Sequence, residues 1–376
     1  MTGLATTSRT YPMRSRRRAD MRYSVLDISP VPPDGTATDA FAQSAELIRL
    51  SERVGYDRYW VAEHHGIGRR NAGSTPEVLI AYLATITSRI RVGSGAVLLD
   101  KYRPYKVADT FRVLHALFPD RIDIGIGRGS SPAPIEAALS RMNDPLDDPL
   151  FTALAATTAL VNYRDDVSEL LAWLKHDFPD GHPYAKYPLS PGVEGGPQPW
   201  LLGSSPTSAA LAGQLGMRYC FAAFLDPATA PTILDIYRSA FRPSDCSARG
   251  GLDEPYAMLA VSAVCAPTDE EADLLRAGAE LHARRVAHRD PAVDLPLPIP
   301  IQALAELGRG PASTAVEPGN WPRHLSGSPE SMEQMLTTIS QESGADELMI
   351  CDLIGDHAAR MRSYELLAEA LRLVRT

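Results

Sequence analysis

Four stretches of this chain bring together residue types that could do chemistry, beginning with Trp60-Val61-Ala62-Glu63-His64-His65. If that run closes a β-strand, alternation puts Ala62 and His64 on one face and Glu63 and His65 on the other. His64 then stands above a small residue that leaves room for a planar ligand, and an imidazole can exchange a proton near neutral pH. Two structural histidines tied down by hydrogen bonds would give the same pattern. A zinc site is disfavoured, since no third ligand stands at a recognisable spacing. In Val92-Gly93-Ser94-Gly95-Ala96-Val97 the small residues allow either close approach of backbone to a ligand or a tight bend.

The other two stretches suit an anion. Gly125-Ile126-Gly127-Arg128-Gly129-Ser130 lacks the spacing of the dinucleotide fingerprint, but it holds a guanidinium among glycines, which fits a phosphate or a structural salt bridge. Leu202-Gly203-Ser204-Ser205-Pro206-Thr207-Ser208 opens a helix, where hydroxyls and free N–H groups can hold an anion, or where Ser204 or Ser205 can simply cap the helix. Two phosphate-suited elements on consecutive strand ends would imply a phosphorylated ligand or cofactor.

The elements that must position these residues alternate short apolar runs with longer amphipathic ones, the pattern of repeated βα units on a parallel sheet. Strands are expected at 23–28, 59–63, 90–98, 122–126, 200–202, 218–221, 257–264 and 347–351. Helices are expected at 40–54, 76–87, 106–118, 167–175, 207–215, 228–241, 269–286 and 358–374. Eight such units predict a closed (β/α)₈ TIM barrel with loop insertions, formed by one domain over 21–376, with chemistry at the C-terminal strand ends. The loops after Gly129, the Gly/Pro-dense stretch 181–199 and the proline-rich 289–328 are the insertions. Residues 1–20, with Arg14, Arg16, Arg17 and Arg18, read as a flexible basic tail; no apolar segment follows them as in a secretory signal.

Composition narrows the class. The chain has 376 residues, 44% of them hydrophobic and 22% charged, which suits a globular protein with a sizeable core. A net charge of −9 offers no general attraction to nucleic acid or an anionic membrane. No apolar run approaches the about 20 residues that span a bilayer. Cys220, Cys246, Cys265 and Cys351 show no metal-ribbon or Cys-x-x-Cys spacing and read as reduced, buried thiols. The expected location is the cytoplasm.

Taken in order, the blocks Ser24-Val25-Leu26-Asp27-Ile28-Ser29-Pro30, Tyr59 to His65, Thr87 to Gly95, Asp120 to Gly129, Leu202 to Pro206 and Gly344 to Met349 resemble the bacterial luciferase-like flavin monooxygenases, from Tyr23 to the end of the chain. Within that family the chain is similar to a subgroup of actinobacterial antibiotic pathways, such as that of mensacarcin. The resemblance implies a barrel that binds reduced FMN at its mouth and uses O₂ as co-substrate. One oxygen atom would pass to a small organic molecule, an aromatic polyketide among the candidates, through a flavin C4a-(hydro)peroxide. It implies His64 as the catalytic histidine, Ala62 and Glu63 beside the flavin, and a non-prolyl cis peptide at Gly95–Ala96 under the ring. Arg128, Gly203, Ser204, Ser205 and Ser208 match the phosphate-binding positions. Gly127 replaces the reactive cysteine of light-emitting subunits, so light emission is not implied. No NAD(P)H motif is visible, so a separate NAD(P)H-dependent flavin reductase is the expected partner, and a homodimer follows from the resemblance. The alternatives are an F420-dependent hydride-transfer enzyme on the same fold and a non-catalytic flavin-binding protein; a sugar-phosphate or metal-dependent barrel enzyme explains fewer blocks.

Overall fold

A computed structural model describes residues 11, 21–129, 133–139, 163–243, 251–308 and 314–373. Ser130, Cys246, most of the basic tail and parts of two expected insertions lie outside the described residues.

Eight short apolar runs pair in parallel and close on themselves. They are β1 (Arg22–Asp27), β2 (Arg58–Val61), β3 (Arg91–Ser94), β5 (Ile122–Gly127), β6 (Gln198–Gly203), β7 (Arg218–Ala222), β8 (Ala257–Cys265) and β10 (Glu347–Cys351). Pairing runs β10-β1-β2-β3-β5-β6-β7-β8, and β8 returns to β10 with Met349 opposite Ala260. This is the expected (β/α)₈ barrel. Two further short strands, β4 (Val97–Leu98) and β9 (His324–Gly327), add to β5 and β8.

Alternation along each strand divides the core in two. Leu26, Trp60, Trp200, Cys220, Met258, Ala260 and Met349 form an inner cluster, with the Trp60 and Trp200 rings edge to face at 5.2 Å. Their neighbours Val25, Tyr59, Val61, Leu201, Tyr219, Leu259 and Ile350 belong to the outer cluster that the helices cover. The helices are α1 (Ala37–Val54), α2 (Pro76–Thr85), α3 (Pro104–Leu117), α4 (Ala133–Leu139), α5 (163–175), α6 (Pro206–Gln214), α7 (Ala230–Ala240), α8 (Asp269–Ala287), α9 (Pro300–Leu307), α10 (Pro329–Ser343) and α11 (His357–Leu371).

Two expectations need correcting. The single strand expected over 90–98 is broken between Ser94 and Val97, where the Gly95–Ala96 peptide is cis. The helix expected to be the seventh of the outer ring, α8, is part of an insertion: it packs on α9 and β9, while α10 touches α7 and α11 and fills the ring position. Helix α10 had a signal, with buried Met332, Met335, Leu336 and Ile339 at helical spacing, Ser328 as N-cap and Gly344 in the left-handed conformation as its stop. The proline-rich stretch 289–328 masked it, because that stretch reads as loop yet holds α9 and β9.

Candidate functional site

The C-terminal strand ends open into two hollows. The first, of about 200 Å³, has Leu26, Ala62, His64, Asn71 and Gly95 among its walls. Strand β2 stops at Val61, and the chain then keeps its alternation for four more residues. Ala62 joins the inner cluster and His64 faces the hollow. Glu63 and His65 point the other way. The Glu63 carboxylate is buried outside the hollow, accepting from Leu98 N at 2.9 Å and the Tyr102 hydroxyl at 2.7 Å, with His65 Nε2 2.6 Å away. Its side chain braces the β4 end of the broken strand rather than lining the hollow.

His64 is held by its backbone N–H to Gly73 O at 2.9 Å and by the Asn71 amide, whose Nδ2 lies 3.3 Å from Nδ1. With Nδ1 accepting, the neutral ring carries its proton on Nε2. Burial first, then Arg70 and His65, push the His64 pKa down to about 4. The near-neutral titration expected from the residue type is therefore displaced; at pH 7 the ring is neutral.

Gly95 supplies the floor. A Cβ built there would meet Leu26 Cδ1 at 2.7 Å and Trp60 at 3.3 Å, so only bare backbone fits between the inner cluster and the hollow. Ala96 follows it across the cis bond.

The second hollow, of about 910 Å³, is lined by Arg128, Tyr163, Gly203, Ser204, Ser205 and Ser208, with Leu202 toward the barrel. Ser205 is the N-cap of α6 and shares a capping box with Ser208, whose hydroxyl also lies 3.0 Å from Tyr219 Oη. Gly203 permits this packing, since a Cβ there would come 2.2 Å from Ser208 Oγ. Ser204 is exposed. Arg128 is exposed and lies over the Tyr163 ring at 5.2 Å; among the described residues it has no salt bridge. The Tyr163 hydroxyl is buried with no hydrogen-bond partner among the described residues. An anion at the α6 N-terminus would meet a guanidinium and a helix dipole.

Residues 21–347 match the family described as luciferase-like monooxygenase. The chain belongs to that family. It is 35% identical over 346 residues to a luciferase-like monooxygenase of Escherichia coli strain K12, covering 92% of this chain and 95% of the relative. It is 31% identical over 362 residues to the N-acetyl-S-alkylcysteine monooxygenase of Bacillus subtilis strain 168, covering 93% and 98%. Among solved structures, apo-MsnO8 superposes with a TM-score of 0.80 at 39% identity, covering 95% of this chain and all of that one. At lower identity the likeness shows the fold alone. A Baeyer–Villiger monooxygenase constituent from Pseudomonas putida, solved with FMN, shares it at 19% identity (TM-score 0.64), and an F420-dependent secondary alcohol dehydrogenase at 17% (TM-score 0.59).

The donor chemistry of the two hollows suits a planar ring at one and an anionic group at the other. The small hollow offers a bare-backbone floor at Gly95 and the large one an exposed guanidinium beside the α6 N-terminus. Several residues at the first hollow were not singled out from the sequence: Arg70, Asn71, His282, Arg323 and His324. Arg70 and Asn71 come from the loop after β2, His282 from α8, and Arg323 and His324 from the insertion before α10. Phe224 also lines the hollow. Tyr102 is tied to Glu63, and Tyr105 packs against Trp173 at 4.8 Å. Among the described residues no helix is long and apolar enough to cross a membrane, and no group of three or more His, Cys, Asp or Glu could hold a metal ion.

Proposed function

We infer that the protein is a reduced-FMN-dependent monooxygenase that transfers one oxygen atom of O₂ to a small organic substrate, with a separate NAD(P)H-dependent flavin reductase supplying the reduced cofactor. The observation that carries this reading is the pairing, at one barrel mouth, of an anion site around Arg128 and the α6 N-terminus with a bare-floored hollow beside His64. When bound, reduced flavin supplies the electrons that activate O₂, one atom going to the substrate and the other leaving as water.

The chain's own residues do the rest. Arg128, Ser204, Ser205, Ser208 and the N-terminal turn of α6 hold the phosphate, Gly203 letting Ser208 close the turn. Gly95, Ala96 and Ala62 would make room for the flavin ring. Glu63 acts indirectly, its carboxylate fixing Leu98 and Tyr102 beside the broken strand. His64, neutral and fixed by Asn71, holds a proton at Nε2 that it would donate in a hydrogen bond within the hollow. Leu26, Ile28 and Phe224 keep water from the reacting side.

An aromatic polyketide of an antibiotic pathway is the substrate class supported by the likeness to MsnO8. A homodimer is supported by α2 and α3, which pack together and expose Val78, Tyr82, Val113 and Leu117 at 43% or more. Anaerobic titration with reduced FMN and, separately, with reduced F420 tests the cofactor. Tighter binding of FMN, with O₂ consumed on re-aeration and no NADH oxidation by the protein alone, is the expected result. Preference for F420 would replace the reading with hydride transfer. Retention of FMN without substrate-dependent O₂ use would make the protein a flavin carrier.

A further inference from the structure

Above the His64 hollow stands a group of charges that the flavin reading does not use. Arg70 and Arg323 both line it, one from the loop after β2 and one from the insertion after β8. Among the described residues neither has a carboxylate within salt-bridge distance. Arg70 donates to Val293 O at 3.1 Å and lies 3.3 Å from the His282 ring, while Arg323 donates to Phe224 O at 2.8 Å. Asp294 is close enough to act on Arg70 electrostatically but forms no pair with it. The carboxylate in the lining, Asp352, is already spent: Arg360 Nε donates to it at 2.8 Å, the Tyr364 hydroxyl at 3.0 Å and Ile354 N at 3.1 Å.

Two imidazoles join the guanidiniums. His324 has Nδ1 2.9 Å from Ser262 Oγ, and its Nε2 is buried with no partner among the described residues. A Ser262 hydroxyl donating to Nδ1 leaves Nε2 as the N–H. Burial, with Arg70 and Arg323 for His282 and Arg323 and Arg276 for His324, pushes both pKa values down to about 4, so neither ring adds a charge. The hollow thus offers two cations and an unused donor, with no free counter-charge among the described residues. Its rim is apolar: Leu225 and Val286 line it at 49% and 51% exposure, a large apolar surface left open to solvent.

We propose that this cluster is the substrate's anchor, and that the substrate is an organic acid whose carboxylate is held by Arg70, Arg323 and His324 while its apolar body lies on Leu225 and Val286. The proposal rests on the monooxygenase reading for the chemistry that follows binding, but the anchor itself is tested without turnover. A carboxylate held between two guanidiniums and an N–H donor can satisfy all three with the lone pairs of its two oxygens, and bidentate pairing fixes the orientation of the body relative to His64. Neutral ketones or alkanes of the same shape would leave both cations without a partner in the bound complex.

The test is calorimetric titration of the full chain with 1-naphthoate and with its neutral isostere 1-naphthamide, with and without reduced FMN under anaerobic conditions. Naphthoate is expected to bind at least about tenfold tighter than the amide. In R70Q/R323Q that preference should fall to within about threefold, while the Kd of reduced FMN moves by less than about threefold. Arg323 is exposed, so R323Q alone keeps the test alive if the double variant fails to fold, and it should remove part of the preference. Equal binding of acid and amide, or binding of neither, overturns the anchor. Loss of reduced-FMN affinity in R70Q/R323Q also overturns it, by giving the guanidiniums to the cofactor. If the acid preference holds and reduced FMN does not bind, the cofactor reading fails and the anchor stands.

Discussion

At the N-terminal end of the barrel, Arg58 donates to Asp123 at 2.8 Å, Glu347 at 3.0 Å and Gln198 at 2.9 Å. Asp123 also takes Trp60 Nε1 at 3.0 Å and Arg91 Nε at 2.8 Å, and Glu347 takes the Tyr256 hydroxyl at 2.9 Å and the Ser24 hydroxyl. Arg58, Asp123 and Glu347 are almost wholly buried. At the C-terminal mouth, about one barrel length away by strand rise, Arg70 and Arg323 bind backbone carbonyls and His324 leaves a buried nitrogen unpaired. Both ends are rich in arginine. One is closed by protein groups, the other open to a ligand. Charge inside a barrel therefore marks function only where its partners are missing, which agrees with catalysis residing at the C-terminal strand ends.

Four measurements would break or sharpen this contrast. The largest effect belongs to the closed end: Arg58→Leu removes the guanidinium paired with buried Glu347 and one of the two paired with buried Asp123, and should cost about 3–5 kcal/mol in denaturant unfolding. A loss below about 1 kcal/mol would mean that the network is solvated and the contrast is false. At the open end, His64→Ala should leave unfolding nearly unchanged but lower substrate turnover by about 10²-fold or more, with reduced-FMN affinity kept. Unchanged turnover would remove the proton role. Arg128→Ala, at an exposed position, should weaken reduced-FMN binding by about tenfold, some 1.4 kcal/mol, while stability shifts by less than about 0.5 kcal/mol. An unaltered Kd would move the phosphate elsewhere.

The smallest effect concerns pH. His64, His282 and His324 are lowered from 6.5 to about 4 in the folded chain. Between those values the unfolded chain binds more protons than the folded one. Stability is therefore fully present above about pH 6.5, falls as pH is lowered through the window and levels off near 4. His282→Gln with His324→Gln should flatten the dependence of Tm on pH in that window, measured by scanning calorimetry. An identical slope would show that these rings are not held neutral.

Much of the barrel was legible because each strand buries alternate residues on two faces and several helices, such as α1 with its Thr36 capping box and Gly55 stop, carry their own start and stop. Strand β10 was expected over 347–351 and spans Glu347–Cys351, and α8 was expected within one residue of Asp269–Ala287. Its place in the ring was not legible, since amphipathic periodicity reports that a face is buried and not against what. The same limit hid α10: its pattern was present, but a proline-rich neighbour made the whole stretch read as loop.

The site divides along the same line. His64, Gly95, Arg128 and the serines of α6 were readable as local motifs, because an imidazole at a strand end, a glycine under a ligand and a capped helix start each carry their chemistry in a few adjacent residues. Alternation also assigned Glu63 and His65 to the opposite face, where they form the brace rather than the hollow, so only the resemblance had set Glu63 beside the flavin. Arg70, His282, Arg323 and His324 carry no local signature and are separated by up to 254 positions in the chain. Only closure of the barrel and folding of the insertion over its mouth bring them to one cavity. Periodicity and caps, which depend on neighbours a few residues away, determined the elements and their order. Which charges would be paired and which left open was decided by tertiary structure, because it depends on distances between segments that the chain order does not set.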